Sequence, residues 1–197
     1  MIPEKFGLGN VVWLLNEPES TFDSYSYNSL FTKEECEKII AISDDYLLSD
    51  VMNGDSSIRN SSHYWIYPED GEWIYRKIVD VLFYLNNKIY NYKLNGIEAL
   101  QLTKYKVGDY YNNHIDVEPD SSSLSAQRKL SFIIQLSEEE DYEGGNLILH
   151  GADLKTITQK SIGSITLFPS YRLHNVSEVT KGVRYSLVGW TRGPSFV

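Results

Sequence analysis

The stretch Tyr105-Lys106-Val107-Gly108-Asp109-Tyr110-Tyr111-Asn112-Asn113-His114-Ile115-Asp116 decides how the rest of this chain is read. Residues two apart on a β-strand point to the same face, so His114 and Asp116 share one side and Ile115 packs on the other. An imidazole and a carboxylate on one face are two ligands for a single metal ion. Alone the pair is a weak signal, because a lone His is more often structural and a lone Asp often caps a turn. A third ligand has to come from another strand. His174, in Phe168-Pro169-Ser170-Tyr171-Arg172-Leu173-His174-Asn175-Val176, can supply it, and Arg184 follows in Gly182-Val183-Arg184-Tyr185-Ser186.

Two neutral imidazoles and one carboxylate on one face leave three octahedral positions open, the arrangement of non-haem Fe(II) oxygenases. A zinc hydrolase accepts the same donors but needs a general base and only one open position. The arginine separates the two readings. Fe(II) with one Asp carries a net positive charge, which a dianionic 2-oxoglutarate offsets by chelating through its 1-carboxylate and keto oxygens. Its far carboxylate then lies deep in the barrel and needs a permanent cation. Arg184 offers a planar fork for it, and Ser186, on the same strand face, adds a hydroxyl.

The surrounding sequence is strand-rich. After Gly96 the apolar period changes to two, and strands are expected at about 97–106, 110–116, 129–137, 146–150, 154–159, 163–168, 173–179 and 183–192. Turns fall at Gly108-Asp109, Glu143-Gly144-Gly145, Gly151, Ser161-Ile162-Gly163, Pro169-Ser170 and Lys181-Gly182. The first half is different. Thr32-Lys33-Glu34-Glu35 is a capping box that opens a helix running to about Ser43, with Cys36, Ile39 and Ile40 inward. A second helix starts near Asp70 and carries Ile74, Ile78, Val81, Leu82, Leu85 and Ile89 as one apolar stripe. A short strand is expected near Tyr64–Tyr67. Helices followed by eight strands describe an α+β, mainly β domain whose β part closes as a sandwich or jelly roll, with N-terminal supporting helices. Residues 1–28 read as an N-terminal arm and 29–197 as a single domain. The polar loop 117–127, directly after the His-x-Asp, is either a lid over the barrel mouth or a hairpin tip.

Composition narrows the class. The chain has 197 residues, 42% of them apolar and 23% charged, with 15 Tyr, which suits a β-rich globular domain with a full core. A net charge of −9 repels phosphate backbones and disfavours nucleic acid as a partner. One cysteine, Cys36, excludes an intramolecular disulfide and fits a reducing, cytoplasmic setting. Val11-Val12-Trp13-Leu14-Leu15 is shorter than a signal-peptide apolar region, and no run approaches membrane-spanning length. His63 and His150 read as structural histidines. Arg59, in Ile58-Arg59-Asn60-Ser61, is either a solvated loop charge or a substrate-side residue. Oligomeric state is not legible.

At these residues the chain resembles the 2-oxoglutarate- and Fe(II)-dependent dioxygenases, in their prolyl-4-hydroxylase-like branch, from roughly Asn28 to Trp190. The features that carry the resemblance are Tyr105 on the strand before the His-x-Asp, Gly108-Asp109, His114 and Asp116, the strand Arg128 to Ser137, and Glu143-Gly144-Gly145. Gly163 to Ser170 then leads into His174, and the chain closes on Gly182 to Trp190. The resemblance implies a double-stranded β-helix. It implies decarboxylation of 2-oxoglutarate to succinate and CO2, coupled to hydroxylation of a C–H bond with O2, with ascorbate as a supporting reductant. It implies that His114, Asp116 and His174 bind Fe(II), that Tyr105 helps hold the cosubstrate, and that Gln135 contacts it. Arg59 and Trp65 fall in a stretch similar to the family's substrate-side pattern. Collagen-type members use a lysine where this chain has Arg184, so their substrate is not carried over. The expected substrate is a prolyl or other residue of a peptide or protein. A free amino acid or other small molecule, held by a second charge such as Arg59, Arg128 or Arg172, is the alternative, and a non-catalytic metal-binding barrel is another.

Overall fold

Thr32 caps the first helix as its sequence predicts. Its Oγ1 accepts from the Glu35 backbone N–H at 3.3 Å, and the Glu35 carboxylate accepts from the Thr32 N–H at 2.9 Å. In the computed structural model, which describes residues 24–43, 49–50, 57–118, 124–151 and 155–194, this helix, α1, spans Lys33–Ala41. It ends two residues before the expected Ser43. The N–H groups of Ile42 and Ser43 bond back three residues, to Ile39 and Ile40, tightening the last turn. Helix α2 spans Pro68–Leu85. Pro68 sits in its first turn, where a missing N–H is harmless. Gly71 leaves helical geometry (φ −160, ψ 51), so the helix is kinked there. A π turn, Asn86–Tyr90, extends α2, and Asn91 stops it in the left-handed region at φ 52. Ile74, Ile78, Leu82 and Leu85 are buried, as the apolar stripe requires. Lys77 ties the helices together by an ion pair to Glu35 at 2.6 Å.

The described residues form fifteen strands. They are β1 (Tyr25–Tyr27), β2 (Ser49–Asp50), β3 (Arg59–Asn60), β4 (Ser62–Ile66), β5 (Gly96–Ile97), β6 (Leu100–Tyr105), β7 (Tyr110–His114) and β8 (Arg128–Gln135). Then come β9 (Tyr142–Gly144), β10 (Leu147–His150), β11 (Lys155–Ile157), β12 (Ile165–Pro169), β13 (His174–Val176), β14 (Val179–Gly182) and β15 (Arg184–Arg192). The major sheet runs β1-β12-β8-β15-β6-β4-β2, with β5 beside β15. The minor sheet runs β11-β10-β13-β7-β3, and β9 pairs with β14. Neighbouring strands among the described residues pair antiparallel.

The period of two sorts side chains onto two buried faces. On β8, Leu130, Phe132 and Ile134 join the helices in one core, with Leu100, Leu102 and Leu187 from β6 and β15. The intervening Ile133 and Tyr105 pack with Leu147, Leu149 and Val176 of the minor sheet in a second core. The space between the sheets is thus the barrel interior, and the helices close its outer wall. This is the double-stranded β-helix expected. Gly189 on β15 shows how tightly the helix-side layer is packed, since a Cβ there would lie 2.3 Å from Phe132 Cζ.

Several expectations need correction. The strand expected over 97–106 is broken between Ile97 and Leu100, giving β5 and β6. The Glu143-Gly144-Gly145 and Lys181-Gly182 turns are instead partly strand, because β9 and β14 pair with a register shift and glycines at φ +74 and +73. A Cβ on Gly144 or Gly182 would meet a backbone carbonyl oxygen at 2.0 Å, so both positions require glycine. The strand expected over 110–116 stops at His114, leaving Asp116 beyond it. Within the arm, Tyr25–Tyr27 adds an edge strand to β12; residues 1–23 lie outside the described residues, as do 119–123 of the 117–127 loop. Among the described residues no helix is long and apolar enough to cross a membrane.

Cys36 is fully buried, its Sγ 3.9 Å from the Gln135 carbonyl, and burial pushes its thiol up to about 12. The intact protein is expected to resist a thiol-specific reagent at pH 8 and to react with one equivalent once denatured. Fast labelling of the native chain would contradict the packing of α1 on the sheet.

Candidate metal and cosubstrate site

His114 ends β7 and His174 begins β13, and their Cα positions are paired directly across the two strands. Each ring is locked by the same device. Nδ1 of His114 lies 2.8 Å from the Asn112 carbonyl, and Nδ1 of His174 lies 2.8 Å from the Arg172 carbonyl. A carbonyl only accepts, so Nδ1 carries the proton and the Nε2 lone pair is left for a ligand. Ring contacts fix the planes. Tyr111 stacks on His114 with centroids 3.5 Å apart, and Phe168 meets His174 edge-on at 4.8 Å.

Asp116 reaches the same point from a bend rather than from the strand. Its N–H donates to the Ser170 carbonyl at 2.9 Å, and the Ser131 hydroxyl donates to its Oδ2 at 2.5 Å. Ser131 is in turn 3.0 Å from the Ser170 hydroxyl. Sequence reasoning did not single out these two serines. The available signal was Ser131 itself, a small hydroxyl between Leu130 and Phe132 on the barrel side of the strand.

The three donors converge. His114 Nε2 is 3.7 Å from Asp116 Oδ1, His174 Nε2 is 3.5 Å from Asp116 Oδ2, and all three ligand atoms lie within 4.8 Å of one another. An ion about 2.1 Å from each donor places neighbouring donors about 3 Å apart at right angles, so a small inward movement closes the set. The donor chemistry, two imidazoles and a carboxylate, fits Fe(II). Burial, then the neighbouring His174, lowers His114 to about 4. His114 is therefore neutral at pH 7, with no proton to displace. Its folded pKa lies below the ordinary value of 6.5, so its stabilising contribution is present above pH 6.5 and is lost as pH falls towards 4. The denaturation midpoint of metal-free protein should drop over that window, and His114→Phe should flatten the drop. An unchanged slope in that variant would exclude His114 as its source.

Arg184 starts β15 and is only 1% exposed. Gln135 Oε1 accepts from both its Nε (3.2 Å) and its Nη2 (3.0 Å), and its guanidinium lies over the Tyr105 ring at 5.4 Å. Nη1 is buried without a hydrogen-bond partner, as is the hydroxyl of nearby Tyr142, a residue the sequence did not flag. The Arg184 charge draws the Tyr142 hydroxyl down, but burial dominates and raises it. Ser186 is buried two residues along β15. Arg184, Gln135 and Ser186 are thus together, with Tyr105 between them and the metal-binding cluster.

A cavity of about 270 Å³ opens over the cluster. Tyr105, Ile133, Leu147, Val176 and Val188 line its apolar part, and Arg59, Trp65, Gln101, Tyr111, Arg128 and Trp190 line the rest. Arg59 and Trp65 thus sit on the wall of the site. Arg128 pairs with Glu98 at 2.7 Å and donates to the Asp116 carbonyl at 3.2 Å, so its charge is committed. His63 and His150 lie outside the cluster. His150 bonds Asn175, and His63 packs against Trp65.

The model of the 2OG-Fe(II) oxygenase superfamily matches residues 100–192, the stretch that holds all three metal-ligand candidates and Arg184. Residues 100–192 are thus similar to a 2OG-Fe(II) oxygenase domain. Fe(II), 2-oxoglutarate and O2 are the cofactor and cosubstrates that go with it. The domain is similar to a PKHD-type hydroxylase of Idiomarina loihiensis, 33% identical over 96 residues that cover 49% of this chain and 43% of that protein. This chain therefore spans less than half the length of such relatives. The fold extends beyond the domain. A Pseudomonas putida prolyl-4-hydroxylase superposes with a TM-score of 0.72 at 20% identity, covering 88% of this chain and 94% of that one. A Trichoplax adhaerens prolyl hydroxylase, solved with a hypoxia-inducible-factor peptide, also gives 0.72, at 18% identity over 86% of this chain and 83% of that one.

Proposed function

We propose that this chain is a 2-oxoglutarate- and O2-dependent hydroxylase. It converts 2-oxoglutarate to succinate and CO2 while hydroxylating a C–H bond in a prolyl or other residue of a peptide or protein. The observation that carries the reading is the convergence of His114 Nε2, His174 Nε2 and the Asp116 carboxylate beside one cavity, with a buried, half-satisfied Arg184 behind it. Bound Fe(II) supplies the redox chemistry of O2 activation.

The side chains supply the rest. His114, Asp116 and His174 would hold Fe(II), and a set of three protein donors would leave it open to cosubstrate and O2. Arg184 takes the far carboxylate of 2-oxoglutarate. Gln135 holds the guanidinium in place, Tyr105 lines the cavity in front of it, and Ser186, paired across the strands with Gln135, is buried beside it. A carboxylate there satisfies the Nη1 group that is otherwise buried unpaired. Ile133, Leu147, Val176 and Val188 keep water from the reacting centre. No side-chain acid or base is required. Relatives named as hydroxylases support the reaction, and a fold neighbour solved with a peptide supports a peptide substrate. One observation favours the small-molecule reading: Arg59 is a second cation on the cavity wall.

Two measurements test the proposal. Anaerobic Fe(II) with 2-oxoglutarate should give a weak visible charge-transfer band. With ascorbate, O2 and candidate peptides, mass spectrometry should find a gain of one oxygen matched by succinate. No band and no succinate would leave a non-catalytic metal-binding barrel.

A further inference from the structure

The cavity carries a positive charge that the metal and cosubstrate do not use. Arg59, on β3 of the minor sheet, reaches across to the major sheet. Its Nε donates to Ser61 Oγ at 2.8 Å, its Nη2 donates to Gln101 Oε1 at 2.9 Å, and its guanidinium lies over the Tyr111 ring at 4.8 Å. All three partners are neutral. Among the described residues no carboxylate is recorded within ion-pair distance of Arg59, whereas Arg128 on the same wall is paired with Glu98. Glu118, the other acid of the lining besides Asp116, is exposed at the rim. With Asp116, Arg184 and a dianionic cosubstrate in place, a divalent ion brings the centre to neutrality. Arg59 is then surplus charge at the open end, held rigid in advance by Ser61, Gln101 and Tyr111.

A second observation points to the same ligand. Trp190 lines the cavity, is 6% exposed, and its Nε1–H is buried with no hydrogen-bond partner. An indole N–H in such a place ordinarily finds an acceptor. Trp65 lies beside it, with ring centroids 6.2 Å apart, and gives an apolar wall. A cation and an orphan donor on one wall are matched by an anionic acceptor, and a guanidinium fork suits a carboxylate.

Building on the hydroxylase reading, we propose that Arg59 and Trp190 Nε1 form a subsite for a carboxylate carried by the substrate near the C–H bond that is oxidised. The substrate is therefore an acid. The carboxylate is either an acidic side chain in a peptide or the terminal carboxylate of a peptide or amino acid.

The test uses the full chain loaded with Zn(II) and N-oxalylglycine, an unreactive amide mimic of the cosubstrate that keeps Arg184 occupied. The Trp190 indole N–H is followed by NMR during titration with acetate, then with Ac-Pro-Asp-NH2, Ac-Gly-Pro-OH and the neutral Ac-Gly-Pro-NH2. The Trp190 signal should move with acetate and with at least one of the acidic peptides, and the tighter of the two identifies the source of the carboxylate. The neutral peptide should leave it in place. Arg59→Gln should weaken the response by about tenfold or more, the loss expected for one charge-assisted hydrogen bond. Arg59→Lys should recover part of it, and Trp190→Phe should weaken acetate binding followed through the remaining indoles. A static Trp190 signal overturns the subsite. So does an equal response to the neutral peptide, or an acid preference that survives Arg59→Gln while only the melting temperature falls, as a simple clamp between sheets would give. If N-oxalylglycine fails to bind, the cosubstrate assignment falls separately, and acetate titrated without it still decides the subsite.

Discussion

Asp116→Ala is expected to abolish iron retention and 2-oxoglutarate decarboxylation while barely changing the melting temperature of the metal-free protein. The reason lies in how Asp116 is held. Its backbone bond to Ser170 survives the substitution, and Ser131, which loses the carboxylate, keeps Ser170 as a partner. The fold therefore loses little. The three-donor cluster loses its one carboxylate, and with it the charge that draws a divalent ion between two neutral imidazoles. Removing even an outer partner of a metal ligand costs about 10–100-fold, so losing the ligand itself should cost about a hundredfold or more. Metal analysis after gel filtration and succinate formation are the readouts. Wild-type decarboxylation in this variant would remove Asp116 from the ligand set.

Arg184→Met should separate cosubstrate binding from metal binding. Methionine keeps an apolar stem of similar length and removes the fork. A buried charge interaction lost in this way costs about 2–5 kcal/mol, on the order of a hundredfold or more in the 2-oxoglutarate requirement. Iron retention should be unchanged. Unlike Asp116→Ala, this variant should also melt lower, because Gln135 Oε1 accepts from both Nε and Nη2 of Arg184 and is left buried without them. Arg184→Lys should restore part of the affinity. Equal 2-oxoglutarate affinity in Arg184→Met would mean that another cation holds the far carboxylate.

What the sequence disclosed follows from the range of each interaction. The cap at Thr32 and the α2 stripe are local, spaced three or four residues apart, and both are found as read. The alternation of β6, β8 and β15 is also local, and both buried faces follow from it. His174 was legible only as a residue type awaiting a partner, because its pairing with His114 spans sixty residues of chain. Asp116 does lie beside His114 and His174, but not by the route its sequence suggests. Strand alternation was invoked, but a bend held by Ser170 and Ser131 brings it there. Glycines at positive φ in β9 and β14 read as turns, since nothing local distinguishes a bulged strand from a turn. Arg59 was ambiguous because its meaning depends on Gln101 and Tyr111, which only folding brings beside it.

The strand order of the major sheet bears on how this chain can be cut. The domain at residues 100–192 includes β6 and β12, whose outer neighbours are β4 and β1, both encoded before residue 100. A fragment trimmed to those limits would present two raw sheet edges to solvent. It would also lose Ile74, Ile78 and Leu82, which cover Leu100, Leu102 and Phe132 from outside. Open edges beside a stripped apolar face are a template for intermolecular pairing. Expression, fusion or transplantation of the metal-binding half should therefore carry the preceding strands and both helices with it, as one indivisible unit.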